Sequence, residues 1–213
     1  MEPALFQDCH YPDNIREIFH VYFIVFASFS CVYYVICFLI IYSRIRYPQI
    51  MTYEFRMIYY LALSDLFFTT QIFITPSFDD ILNQNTNCMA QAFFSNATTY
   101  SSTIWTFIII YILYKTTVKR TDRIKLFTKK CEWFAIAMGY GIPVVMSVIP
   151  FFFKDVYGNA GMWCWIRLPC VDDSPNTVRT VFMLIQYGIF WILTSISLFL
   201  FCRVWTWMEK FAL

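Results

Sequence analysis

The sequence has few charged residues and few histidines, and each shortage excludes a class of protein. Only 14% of the 213 residues are charged, whereas 59% are apolar. Soluble domains are roughly one quarter charged and one half apolar, so this composition excludes an ordinary soluble domain. The two histidines are His10 and His20, and HExxH, GxSxG and phosphate-binding glycine motifs are missing. We therefore expect no catalysis, no cofactor, no bound metal and no nucleic-acid partner.

Long apolar runs are the main positive feature. A helix needs about 20 apolar residues, at 1.5 Å per residue, to cross the roughly 30 Å hydrocarbon core of a membrane. Lipid satisfies no backbone polar group, so each run should be helical. The sequence predicts an all-α, polytopic membrane helix bundle that forms one domain over residues 1–213. Its five helices are expected at 18–42, 57–75, 89–114, 133–153 and 178–202.

The predicted loops are alternately rich and poor in basic residues. Seven of them lie between Lys115 and Lys130, and three more, Arg44, Arg46 and Arg56, flank the loop between the first two helices. Because loops rich in Lys and Arg stay in the cytoplasm, the amino terminus is predicted outside and Leu213 inside. The amino terminus lacks a signal-peptide pattern, so the first helix should act as an uncleaved anchor.

Four of the eight cysteines fall on the predicted outer side, where disulfides can form: Cys9, Cys88, Cys164 and Cys170. We favour a bond between Cys88, at the start of the third helix, and Cys164, in the loop after the fourth. Such a bond would hold Trp163 and Trp165 as a lid across the bundle mouth. Cys9 with Cys170 is a second candidate pair, and the swapped pairing or free thiols stay open.

Asp65 lies inside the second apolar run. A charge at the helix centre costs about 3 kcal/mol or more, so this carboxyl group should face the bundle interior. There it could be protonated, hydrogen-bonded or paired with a cation. A functional role and a structural hydrogen bond to a neighbouring helix are both consistent with this placement.

The third helix carries a polar stripe of residues spaced by three or four. Its members are Gln91, Ser95, Thr98, Ser102 and Thr106. The stripe indicates a central helix, whose hydroxyl groups either pack closely or line a wet pocket, and we group its first four residues with Asp65 as an intramembrane polar network. The Asn96-Ala97-Thr98 sequon lies within this helix, so we expect no glycan there.

The basic loop after the third helix could contact anionic lipid or an intracellular partner. The residues proposed for this contact are Lys119, Arg120, Arg123 and Lys125. About 1 kcal/mol per basic residue near an anionic leaflet would explain the charge by lipid contact alone.

Several short motifs occur together in the order typical of one receptor family. These are LALSDL around Asp65, a cysteine that opens the third helix, Trp105, Tyr140-Gly141-Ile142-Pro143, and Tyr157-Gly158 followed by Trp163-Cys164-Trp165-Ile166. The chain resembles a G-protein-coupled receptor of the cyclic AMP receptor-like group, which is itself similar to the secretin-like receptors.

The resemblance implies an extracellular ligand, a Cys88–Cys164 disulfide, and a heterotrimeric G protein that contacts residues 116–130. It places Asp65 in the network that couples the ligand to the inner face. An outer disulfide requires passage through the secretory route, and we expect the plasma membrane as the destination. Such receptors have seven crossings and this sequence has five, so we expect either a partial chain or a true five-helix protein. The alternatives are a small transporter or channel subunit, which would take up ions through Asp65, and a non-signalling membrane scaffold.

Overall fold

The computed structural model describes residues 15–47, 49, 52–73, 86–120, 128–153, 156–160, 163–167 and 177–212. In this part of the chain, five helical segments account for nearly all of the structure, which confirms the predicted all-α class. They are α1 Ile15–Arg46, α2 Tyr53–Phe73, α3 Thr86–Thr117, α4 Lys129–Phe152 and α5 Thr177–Ala212. Two short strands, β1 Tyr157–Asn159 and β2 Cys164–Ile166, lie between α4 and α5.

Four of the five helices are long and apolar enough to cross a membrane, as a multi-pass bundle requires: α1, α3, α4 and α5. The second helix, α2, falls short of this criterion. Its 21 residues include three charged ones, Glu54, Arg56 and Asp65. Arg56 and Asp65 have structural partners on other helices, described below, so α2 belongs to the same bundle.

Helix α3 occupies the centre of the bundle. It packs against α2, α4, α5 and both strands, whereas α1 packs against α2. Two ends of the bundle can be distinguished by chemistry. We define the disulfide end by Cys88 and Cys164 and the basic end by Lys115, Lys119 and Arg120, where α3 finishes.

Helix α4 is irregular in its middle. It consists of an α-helix Lys129–Ile136, a π-turn Ala137–Gly141, an α-helix Ile142–Val148 and a 3₁₀ turn Ile149–Phe152. Pro143 has no N–H to donate to the carbonyl of Gly139, four residues earlier. The Ser101 hydroxyl, from α3, donates to that carbonyl at 2.7 Å instead. A neighbouring helix therefore satisfies the backbone group that the proline frees.

The two strands form an antiparallel hairpin where the sequence suggested an irregular loop. Tyr157 pairs with Ile166, Gly158 with Trp165, and Asn159 with Cys164. One further backbone bond, from Arg167 N to Val156 O at 2.9 Å, extends the pairing at the base. The pairing satisfies several backbone groups of the two strands, and others bond to α3 as described below, so the hairpin can pack against the helix ends.

Candidate functional site

A covalent bond fastens the hairpin to α3. Cys88 and Cys164 form a disulfide with a Cα–Cα distance of 5.2 Å, and both residues are fully buried. One turn along α3, the side-chain oxygen of Gln91 accepts a hydrogen bond from the backbone N–H of Cys164 at 3.0 Å. Gln91 thus contacts the hairpin, at the disulfide end of the stripe to which the sequence assigned it.

Asn96 makes a second attachment, two turns deeper. Its Nδ2 donates to the Tyr157 hydroxyl at 3.1 Å, and its Oδ1 accepts from Trp165 Nε1 at 3.0 Å. Tyr157 in turn donates to the carbonyl of Ser147 at 2.8 Å. One buried amide therefore joins both strands to α3 and, through Tyr157, to α4. The sequon at Asn96 has no accessible side chain to accept a glycan, because Asn96 is only 1% exposed.

Tyr157 is enclosed by this attachment. Burial raises the pKa of its hydroxyl above the ordinary value, and the hydrogen bonds with Asn96 and Ser147 offset only part of that rise. Tyr157 therefore stays neutral at physiological pH and holds its two hydrogen bonds.

The two tryptophans of the predicted lid have different surroundings. Trp163, beside the hairpin turn, is 38% exposed. Trp165 is partly buried and packs edge-on against Tyr187 of α5, with ring centroids 5.3 Å apart. The lid is thus anchored by Trp165 to both α3 and α5. Cys9 and Cys170, the second candidate pair, lie outside the described residues.

Apolar packing and buried polar groups surround the base of the hairpin. Phe182 and Met183 of α5 pack against the cluster around the disulfide. The next turn of α5 carries Gln186, which is 2% exposed and whose side-chain N and O have no hydrogen-bond partner among the described residues. Arg167 and Arg179 are also buried near this end. Sequence reasoning missed these three residues, because nothing in a single apolar run tells which polar side chain faces inward.

Asp65 receives hydrogen bonds from two helices. The Tyr33 hydroxyl of α1 donates to Oδ2 at 2.6 Å, and the Ser102 hydroxyl of α3 donates to Oδ1. Asp65 is 9% exposed, so its carboxyl group lies inside the bundle and joins three helices.

Other residues of the polar stripe make contacts within their own helix or are exposed. Thr98 donates to the carbonyl of Phe94 in its own helix at 2.7 Å, and the carbonyl of Ser95 accepts from Thr99. Thr106 is exposed. Another pair, Ser64 with Ser101 at 2.8 Å, links α2 to α3 one residue before the Asp65–Ser102 contact. In the sequence, this pair is indicated only by the fact that its two serines directly precede Asp65 and Ser102.

At the basic end, an ion pair joins α2 to α4. Arg56 Nη1 lies 2.9 Å from a carboxylate oxygen of Glu132, and Tyr60 donates to the other oxygen at 3.1 Å. Lys119 and Arg120 are exposed where α3 ends. Arg120 lies 5.8 Å from the ring centre of Trp207 of α5, and Arg123 and Lys125 fall outside the described residues.

Comparison with known proteins gives one informative match. No protein-family model matches the chain. The chain is 29% identical over 158 residues to the Cyclic AMP receptor-like protein A of Dictyostelium discoideum. The match covers 72% of this chain and 37% of that protein, so the chain spans little more than a third of its relative. The similarity suggests a relationship to receptor-like proteins.

Proposed function

We propose that this chain is part of a G-protein-coupled receptor of the cyclic AMP receptor-like group. The observation that carries the proposal is the hairpin fastened over the end of α3 by the Cys88–Cys164 disulfide and by Asn96. A covalently fixed cap over one end of a membrane bundle suits the recognition of a ligand from that side. The similarity to a receptor-like protein supports the same assignment.

In this proposal the disulfide end faces outside and the basic end faces the cytoplasm of a cell whose plasma membrane holds the protein. The exposed Lys119 and Arg120, with the rest of their loop, contact a heterotrimeric G protein and the anionic inner leaflet. The orientation agrees with the excess of basic residues at that end.

The ligand site in this proposal lies beneath the hairpin, between α3 and α5. Gln186 offers a side-chain donor and acceptor that have no partner among the described residues, and the buried Arg167 and Arg179 lie at the same end. Such groups suit a polar, anionic ligand with a planar edge that both donates and accepts hydrogen bonds. Cyclic AMP, which the relative's name mentions, has these properties and is the first ligand to test.

The Asp65 contacts give the coupling element of the proposal. A ligand that binds better to one arrangement of the bundle shifts the population toward that arrangement. Asp65 holds α1, α2 and α3 together through Tyr33 and Ser102, so a rearrangement of those helices must change its hydrogen bonds.

The test is nucleotide exchange on a heterotrimeric G protein in vesicles that contain the chain. Cyclic AMP is expected to raise the exchange rate, 5′-AMP is not, and Asp65→Asn should reduce the response. If the exchange rate does not change with cyclic AMP or related nucleotides, in a protein whose Cys88–Cys164 bond is intact, the result would count against the proposal. Ion uptake that depends on Asp65 would instead favour a transporter.

A further inference from the structure

The π-turn of α4 sets the rotation of the helix on either side of it. The N–H of Ile142 bonds to the carbonyl of Ala137, five residues earlier, so Ala137–Gly141 holds one residue more than an α-helical turn would. The segment Lys129–Ile136, on the basic side of this turn, is a regular α-helix. Its face toward α2 therefore depends on whether the π-turn is present.

Glu132 is the charged residue that this segment presents to α2, together with the buried Ala135, which belongs to the same apolar cluster as Met57 of α2. Glu132 bonds to Arg56 and to the Tyr60 hydroxyl, and its side chain is 12% exposed. The Arg56 guanidinium also lies 5.3 Å from the centre of the Tyr53 ring. We call the Arg56–Glu132 pair with Tyr60 the α2–α4 latch. It is incompletely satisfied, because the buried Nε of Arg56 has no hydrogen-bond partner among the described residues.

Tyr60 connects the latch to the π-turn itself. Its ring stacks on Trp105 at 5.0 Å, and its carbonyl accepts from the Tyr140 hydroxyl at 2.6 Å. Trp105 lies against Gly139, where an added Cβ would overlap the indole ring. The π-turn residues Gly139 and Tyr140 are thus connected to Tyr60, Gly139 through Trp105 and Tyr140 by a direct hydrogen bond. Tyr60 is the residue whose hydroxyl group bonds to Glu132.

Conversion of the π-turn into regular α-helix would move the segment by one residue. Each α-helical residue contributes about 100° of rotation and 1.5 Å of rise, so the segment would turn and advance by those amounts. Trp133 would then occupy the place of Glu132 against α2, and Glu132 would turn outward. Both arrangements are chemically reasonable, because the rotated one places an uncharged side chain at position 133 against α2 and returns the Glu132 carboxylate to the outside of the bundle.

We propose that Lys129–Ile136 is a two-state switch, latched by Arg56 and Glu132 when the π-turn is present and rotated by one residue when it is absent. Release of the latch moves the start of α4 at the basic end. This inference goes beyond the proposed function and requires no ligand.

The test measures whether Trp133 becomes covered when the latch is broken. Trp133→Cys is introduced into a chain in which the free cysteines Cys31, Cys131 and Cys202 are serine, and a small water-soluble thiol reagent labels it in membrane vesicles. Arg56→Gln and Glu132→Gln should each slow the labelling at position 133 by about threefold or more, because the released state covers that position. Arg46→Gln removes a cation from the same end without touching Glu132 and should leave the rate unchanged.

Deletion of Met138 gives a variant in which the proposed rotation cannot occur, and the latch variants are compared with and without this deletion. It removes the extra residue, so the turn becomes α-helical while Glu132 keeps its place nine residues before Ile142 on the same helix face. The one-residue rotation is then no longer available, and Arg56→Gln should not slow the labelling. Slow labelling of the retained Cys37, which is 2% exposed, checks that each variant is folded.

Two results would overturn the switch. One is that Arg56→Gln and Glu132→Gln leave the labelling at position 133 unchanged or raise it, since simple loosening of the bundle raises exposure. The other is that Arg56→Gln slows labelling equally with and without Met138. If Arg56→Gln does not fold, Glu132→Gln carries the same comparison.

Discussion

The indole N–H of Trp165 donates to the side-chain oxygen of Asn96 across 3.0 Å, and this bond joins the hairpin to the third helix 69 residues earlier in the chain. The same amide donates to Tyr157 on the other strand. The disulfide holds the hairpin at its edge, whereas Asn96 fixes its rotation above α3. If the proposed ligand binds beneath it, a rigid cap of this kind requires less ordering on binding than a free loop would.

Asn96→Ala should destabilise the protein, because it leaves the buried N–H of Trp165 without a partner and removes a hydrogen bond from Tyr157. An unsatisfied buried group costs about 1–3 kcal/mol, so we expect a loss in that range. Thermal unfolding in lipid nanodiscs measures it. Asn87→Ala, at an exposed position of the same helix, is the matched control and should change stability by less than about 0.5 kcal/mol. Equal effects of the two variants would contradict the role of Asn96.

Replacement of Cys88 and Cys164 by serine should release the hairpin from α3. A disulfide that closes a loop of this length contributes typically about 2–4 kcal/mol, and the two cysteines are 76 residues apart. Unfolding of the double variant should therefore begin at a lower temperature than that of the parent. Cys202→Ser changes an exposed free thiol and should have no such effect. A double variant as stable as the parent would show that the bond is dispensable.

The buried Tyr157 predicts a loss of stability at alkaline pH. Its pKa is raised above the value of about 10 that it has in the unfolded chain, so the folded state favours the neutral phenol. The stabilising contribution is therefore constant below pH ~10 and is lost as the pH rises toward the folded pKa. Melting temperatures between pH 8 and 11 measure this loss. Tyr157→Phe should be less stable at pH 8, since it loses both hydrogen bonds, but should show a smaller alkaline decrease; an unchanged decrease would assign the effect to other groups.

The sequence predicts some parts of this structure well and others poorly, for physical reasons. Long apolar runs identify the helices directly, because a segment that crosses a membrane must be both apolar and helical. The inward direction of Asp65 follows equally from the cost of a charge in lipid, and the structure places Tyr33 and Ser102 around it. In each case one segment carries all the information.

Apart from the favoured Cys88–Cys164 bond, features that depend on contacts between two distant segments were not predictable. The hairpin strands are only three residues long, and their pairing is fixed by α3, which they contact through Gln91 and Asn96. In the sequence, Asn96 is recognisable only as part of a glycosylation motif. The Arg56–Glu132 pair joins residues 76 positions apart, and neither residue alone indicates its partner.

Tyr33→Phe and Ser102→Ala should each weaken the contact of Asp65 with one neighbouring helix. Each removes one hydrogen bond to a buried carboxyl group, and we expect a loss of about 1–2 kcal/mol for either variant. Because both bonds end on the same carboxyl group, the double variant should depart from additivity, which a double-mutant cycle of unfolding free energies would detect. Thr106→Val, at an exposed position of α3, is the control. Strictly additive losses would show that α1 and α3 are held independently.

Gly139 and Gly141 occupy the same π-turn but should respond oppositely to alanine. A Cβ at Gly139 would lie 2.7 Å from Cζ2 of Trp105, whereas at Gly141 it would meet nothing within 4 Å. Trp105 cannot retreat easily, because it is fully buried and stacked on Tyr60. Gly139→Ala should therefore destabilise the protein by about 1–3 kcal/mol through overpacking. Gly141→Ala should be neutral or stabilise by up to about 1 kcal/mol, since alanine restricts the unfolded chain and favours helix. Thermal unfolding of the two single variants decides the matter, and a Gly139→Ala protein as stable as Gly141→Ala would mean that the indole ring has room to move.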